Sequence, residues 1–233
     1  VTADADFILG LDLGKSQDFT ALAAAQRTFQ PDPERSDATL THYAVRYLRR
    51  WHLGTPYTAI VRDLAALVEK DPLHGSLLAA DQTGVGAVVM DLLREADLPV
   101  QLRPILITAG HATTYTDGAW HVPKKELVST LQVLFQGRRL KVAKVPDREA
   151  LVKELLAFKV KVNAATGHES FEAWRERDRD DQVLAIALAC WLGERDAGQD
   201  DDDFVPISGG EKCSLNAPSP MHLANRFMKG MMS

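Results

Sequence analysis

An α/β domain, a mixed sheet flanked by helices with a flexible C-terminal tail, is the fold predicted by three features of the 233-residue sequence. Short apolar runs alternate with longer amphipathic ones, the pattern of strands interleaved with helices. Acidic residues fall where strands end and where the last helix begins, positions at which an open α/β sheet collects its ligands. Beyond residue 195 the chain carries Asp200 to Asp203 in a row and Gly209-Gly210, a composition that does not build a core. The domain is therefore placed at 1–195 and an acidic linker and tail at 196–233.

The elements follow in order. Residues 7–13 read as a short buried strand ending in an acid, with Gly14 as the turn signal. Runs 19–27 and 40–50, separated by a Pro- and Asp-rich stretch, complete an antiparallel meander. Tyr57 to Glu69 places Ile60, Leu64, Leu67 and Val68 at helical spacing. Leu77 to Ala80 is a strand running into Asp81, and Ala87 to Glu95 is a second helix behind Gly84 and Gly86. Val100 to Ile107 is a further strand, after which a Thr- and Gly-rich loop extends to His121. Pro123 starts a third helix at a position that needs no N–H, with Leu127, Leu131, Leu134 and Phe135 on its inner face. Asp147 to Phe158 reads as a fourth helix, 160–174 as a hairpin or loop, and Asp180 to Glu194 as an apolar last helix buried on the sheet.

Composition narrows the function. Apolar residues make up 45% and charged residues 25%, the balance of a globular chain, and the longest apolar runs fall far short of a membrane span. No secretory signal is visible, and Cys190 and Cys213 have no metal-ligand spacing, so reduced thiols are expected. The seven histidines form no close pair, which argues against zinc. Net charge is −5, but residues 1–195 hold 24 Lys and Arg against 26 Asp and Glu. The body is thus nearly neutral, and residues 138–161 carry eight cations against three anions. Arg138, Arg139, Lys141 and Lys144 lead that stretch and are the candidate DNA-binding residues.

Asp12 ends the first strand, Asp81 ends the fourth, and Asp180-Asp181 opens the last helix. Adjacent parallel strands would bring Asp12 and Asp81 together, and a helix packed over that edge would add the third acid. Such a cluster takes up protons unless a cation neutralises it. Mg²⁺ suits an all-oxygen site, and two such ions about 4 Å apart can drive phosphodiester hydrolysis. The plain alternatives are a turn residue for Asp12 or Asp81 and a helix cap for Asp180 or Asp181. Helical geometry puts Asp181 on the sheet face and leaves Asp180 to cap the helix.

Three segments carry a family resemblance: Gly10-Leu-Asp12-Leu-Gly14 with Asp18-Phe-Thr-Ala21; Ala80-Asp81-Gln-Thr-Gly84-Val-Gly86; and Trp174-Arg-Glu with Asp180-Asp181-Gln-Val-Leu-Ala-Ile-Ala187. Together they resemble the acidic motifs of the nuclease domain of bacteriophage large terminases, over residues 6–195. The resemblance implies a ribonuclease H-like sheet and a metal-dependent endonuclease that cuts concatemeric viral DNA during packaging. It further implies catalysis by Asp12, Asp81 and Asp181, and two Mg²⁺ or Mn²⁺ ions held by those acids, with Asp180 the alternative to Asp181. Arg179 stands where the family often has histidine. No phosphate-binding loop is present, so the chain is expected to cut double-stranded DNA while an ATPase domain, a small terminase and a portal supply the rest of the motor, in the cytoplasm of the bacterial host and away from membranes. Competing readings are a related resolvase or transposase, a non-catalytic DNA- or portal-binding module, and an actin-like ATPase suggested by Asp12-Leu-Gly-Lys15.

Overall fold

The computed structural model describes residues 6–14, 18–84, 86–146, 149–156 and 180–197. The expected loop at 160–174, Trp174, Lys15, Arg148, Lys159, Lys161, Cys213 and the tail from 198 onward lie outside the described residues.

The strands are β1 (Asp6–Asp12), β2 (Ala21–Asp32), β3 (Arg35–Arg50), β4 (Leu77–Asp81), β5 (Gln101–Thr108), β6 (Thr114–Thr116), β7 (Ala119–Pro123) and β8 (Leu140–Val142). The helices are α1 (Tyr57–Val68), α2 (Gly86–Glu95), α3 (Lys124–Gln136), α4 (149–156) and α5 (Asp181–Asp196). All eight strands form one sheet in the order β6-β7-β5-β4-β1-β2-β3-β8. The expected meander is present, β1 and β3 each pairing antiparallel with β2. Strands β1, β4, β5 and β7 then run parallel to their neighbours, so their carboxyl ends share one edge.

Side-chain alternation along β1 divides the core. Ile8 packs on the face covered by α3 and α5, whereas Leu9, Leu11 and Leu13 pack under α1 and α2. The period of two therefore turns Asp12 toward the α5 face, and Leu77, Ala79 and Asp81 follow the same rule on β4. A bulge in β3 opposite Ala24 and Ala25 keeps Tyr43, Val45 and Leu48 all on the α5 face. Helix α5 is apolar around its whole circumference and buried from Asp181 to Gly193, because it lies between the sheet and α3.

Gly10 is what lets α5 come so close. A Cβ there would stand 2.0 Å from the Ala185 carbonyl oxygen and 2.7 Å from the Ala189 nitrogen, both backbone atoms of α5. No side chain can be accommodated without lifting the helix from the strand.

Four expectations need correction. The loop before His121 contains the β6-β7 hairpin, turned by Asp117 and Gly118 with φ of 54° and 76°, the left-handed pair that a two-residue hairpin turn requires. Pro123 ends β7 and caps α3 instead of opening it. Phe135 is 41% exposed, because Leu127, Leu131 and Leu134 already fill the inner face of α3. The basic stretch contains a strand, β8, which pairs parallel with β3.

Candidate active site

Asp12 and Asp81 stand side by side. The parallel register pairs Leu11 with Ala80, so the next residues on the two strands are the two acids, on neighbouring backbones about 4.8 Å apart. The first turn of α5 brings Asp181 over the same edge. All three are buried, at 7%, 6% and 7% exposure. The expected convergence of Asp12, Asp81 and the Asp180-Asp181 pair on one edge is what the backbone delivers.

The electrostatics are those of an acid cluster short of cations. Burial raises Asp12 well above the ordinary carboxylate range, and the charges of Asp81, Asp181 and Asp180 raise it further against the pull of Lys124. Asp81 is pushed up to about 6 by burial, opposed by hydrogen bonds from Thr83 and by Lys124. Asp181 is pushed up to about 6, by burial first and then by Asp180, while Arg50 opposes. Asp18, from the loop after β1, adds to the negative field at Asp181.

Hydrogen bonds distribute the carboxylate oxygens unevenly. Asp81 Oδ1 accepts the Thr83 N–H at 2.7 Å, and Thr83 Oγ1 accepts the Ile107 N–H at 2.7 Å, which ties the loop behind Asp81 to β5. Asp181 Oδ2 is buried with no hydrogen-bond partner. A buried anionic oxygen in that state is unfavourable unless a cation or donor arrives.

Asp180 does not cap α5 with its side chain. Its Oδ2 instead accepts from Lys124 Nζ at 2.9 Å, at the start of α3. The cap comes from Glu154 on α4, whose Oε2 accepts the N–H groups of Gln182 at 3.0 Å and Val183 at 3.3 Å. Its Oε1 accepts from Arg50 at 3.1 Å. Arg50 lies on the transverse row Asp12–Ala21–Arg50 of the sheet. Glu154 is 6% exposed and pushed up to about 7 by burial and by Asp181, against the N–H groups and Arg50. The residue reading along the chain missed Glu154, one of three anions inside a run of cations, and it missed any role for Asp18, although Asp18 lies in the quoted first motif.

The residues fit a hard divalent cation by two observations. Every converging donor is a carboxylate oxygen, and one of them, Asp181 Oδ2, is buried without a partner. Among the described residues no group of three or more His, Cys, Asp or Glu side chains lies close enough together to hold a metal ion as placed. Bare carboxylates repel one another, and a cation bound between them would offset that repulsion.

The structure separates the four candidate DNA-binding residues. Strand β8 is parallel to β3, and Leu140 pairs with Tyr43, on the row of Arg27 and Asp6. Arg138 and Arg139 therefore sit at the sheet edge opposite the acids, and Lys144, exposed after β8, lies nearer the acid edge. The Arg139 guanidinium is committed to both Glu194 carboxylate oxygens at 3.0–3.1 Å and to the Thr41 carbonyl at 3.0 Å. Lys141 and Arg139 line a shallow groove of about 180 Å³ with Arg46, His42, Gln26 and Thr28. Burial, then Arg139 and Lys141, lower the His42 pKa, against the charge of Glu194.

No protein-family model matches the chain, and no curated protein sequence does. Among solved structures, the chain is similar to the large terminase nuclease from thermophilic phage G20c, with TM-score 0.46 and 22% identity over 80% of this chain and 81% of that one. The zinc-bound form of that nuclease gives TM-score 0.46 and 21% identity, over 80% of each chain. T. thermophilus RuvC in complex with a Holliday junction substrate is more distant, at TM-score 0.32 and 11% identity over 82% of this chain and 95% of that one. The described elements form a mixed eight-stranded sheet flanked by helices, the α/β architecture expected from the sequence.

Proposed function

We propose that this chain is a divalent-metal-dependent endonuclease acting on double-stranded DNA. The observation that carries the reading is the convergence of three buried carboxylates, Asp12, Asp81 and Asp181, at one sheet edge with too few cations to balance them. Asp12, Asp81 and Asp181 would hold the metal, two Mg²⁺ or Mn²⁺ ions in the fullest form of the reading, with Asp180 at the rim. Bound there, the cation supplies charge neutralisation of a phosphodiester and acidification of an attacking water.

The chain's own residues do the rest. Thr83 orients Asp81 through its N–H. Lys124 offsets part of the negative field at Asp12 and Asp81, and its Nζ is tied to Asp180 at the mouth of the site. Lys144, exposed after β8, is the candidate phosphate contact nearest the acid edge; Arg138, Arg139 and Lys141 lie toward the other end of the sheet, Lys141 in the groove with Arg46. The motif resemblance extends the reading to concatemeric viral DNA cut during packaging, with an ATPase domain, a small terminase and a portal as motor partners in the bacterial cytoplasm.

Incubation with supercoiled plasmid, Mg²⁺ or Mn²⁺, and chelator tests the activity. Metal-dependent conversion to linear product that disappears with chelator is expected; intact plasmid in every arm would reject the reading. Four-way junctions and linear duplex in parallel separate a resolvase from a packaging nuclease.

A further inference from the structure

Resting on the proposed metal site, we infer that Glu154 is the positioning residue that holds the start of α5, and with it Asp181, at the acid edge by occupying the helix donors that Asp180 would otherwise take.

An N-terminal helix residue in the cap position ordinarily turns its side chain back onto the second or third N–H of the helix. For α5 those donors belong to Gln182 and Val183, and Asp180 is the residue in the cap position. Both N–H groups are instead filled by Glu154 Oε2, a residue 28 positions earlier in the chain. Two consequences are visible: Asp180 is released to pair with Lys124, and Asp181 Oδ2 stays uncommitted. The Oε1 of the same carboxylate grips Arg50, on the sheet row of Asp12. One buried side chain therefore fixes the helix end bearing Asp181 against the strand row bearing Asp12. Outer-shell groups of this kind set the orientation of metal-binding side chains, and losing one typically weakens metal affinity about 10- to 100-fold.

The test uses the full chain without DNA and measures Mn²⁺ binding by calorimetry and folding by circular dichroism, for Glu154→Ala, Glu154→Gln, Glu154→Met, Glu154→Asp and Asp181→Asn. Glu154→Ala is expected to weaken Mn²⁺ binding by about 10-fold or more. Glu154→Gln keeps an oxygen for the two N–H groups and should recover most of that loss, whereas Glu154→Met, of similar size without that oxygen, should not, a split that mere loss of packing does not produce. Wild-type affinity in folded Glu154→Ala, or equal damage in Ala and Gln, overturns the inference. Should the alanine chain not fold, Glu154→Asp decides, since its carboxylate stops one methylene short: weakened binding with native melting supports the role, and undiminished binding overturns it. Failure of the wild type to bind Mn²⁺, or binding indifferent to Asp181→Asn, rejects the metal site itself and this role with it. Binding that needs Asp181 but ignores Glu154 rejects the positioning role alone.

Discussion

The two ends of α5 handle charge in opposite ways. At its C-terminal end every described acid near the sheet has an arginine: Arg27 bonds Asp6 at 2.5 and 3.0 Å, Asp196 at 2.7 Å and the Gly193 carbonyl at 2.9 Å. Arg139 forks onto Glu194, which also accepts from Thr41. Burial works against the Arg27 charge, but the hydrogen bonds it donates to Asp6 and Asp196 outweigh it and hold its pKa above the ordinary value. At the N-terminal end Asp12, Asp81 and Asp181 are buried with their pKa values raised, and one carboxylate oxygen has no partner. Same helix, same sheet, opposite treatment: Asp6, Glu194 and Asp196 are partly exposed and paired with arginine, whereas Asp12, Asp81 and Asp181 are buried with too little positive charge beside them, an arrangement that leaves charge for a ligand to supply.

The sharpest way to break the contrast is to neutralise one end at a time. Asp12→Asn, Asp81→Asn or Asp181→Asn should each lower plasmid cleavage by about 100-fold or more, the scale of removing a metal-holding or transition-state group. Those variants should melt no lower than wild type in chelator, because each removes a repulsive charge. Asp180→Asn should be milder than Asp181→Asn, since Asp180 is at the rim and paired with Lys124. A more severe cleavage loss in folded Asp180→Asn reverses that assignment.

At the other end, Arg27→Ala strands two acids and a helix carbonyl, and a loss of about 3 kcal/mol is expected, the low end for a broken buried pair because Asp6 and Asp196 remain half exposed. Chemical denaturation measures it. Residual cleavage per folded molecule should be unchanged, and a specific catalytic defect would erase the division between the two ends.

Gly10→Ala couples them, since it lifts α5 at Ala185 and Ala189. Overpacking of this kind costs about 1–3 kcal/mol, and the displaced Asp181 should weaken Mn²⁺ binding as well. A fully stable, fully active Gly10→Ala chain would show that the close approach is not required.

Acidity gives a smaller and more unusual effect. A carboxylate whose folded pKa is raised favours the folded state while protonated, so its stabilisation is complete below the unfolded value near 4 and is lost as pH rises through the folded value. With Asp81 and Asp181 raised to about 6 and Glu154 to about 7, melting temperature in chelator should fall between pH 5 and pH 8. Mg²⁺ should recover the loss at pH 8. A melting temperature that climbs over this interval in chelator contradicts the uncompensated cluster.

How much of this was legible in the sequence follows from the range of the interactions. Asp12 and Asp81 were legible because strand alternation and their place at strand ends are local properties, and α5 because an acidic start runs into an unbroken apolar segment. The β6-β7 hairpin had a local signal too, Asp117-Gly118, but the three-residue β6 is too short to show alternation. Glu154 and Arg139 were not legible. Their partners, Gln182, Val183 and Glu194, lie tens of residues away, and within a basic run an anion reads as dilution and a cation as free surface. For that reason the smallest expected effect is the DNA surface: Lys141→Ala with Lys144→Ala should flatten the salt dependence of binding by about two contacts' worth, each near 0.9 in slope. An unchanged slope would move the duplex elsewhere.

The central claim, that the N-terminal end of α5 is a cation site and the C-terminal end is not, is most directly tested by anomalous diffraction from crystals grown with Mn²⁺. Anomalous density is expected among the carboxylates of Asp12, Asp81 and Asp181, and none there in Asp181→Asn crystals. Density confined to the Asp6, Glu194 and Asp196 end, or none at the acid edge at millimolar Mn²⁺, would contradict it.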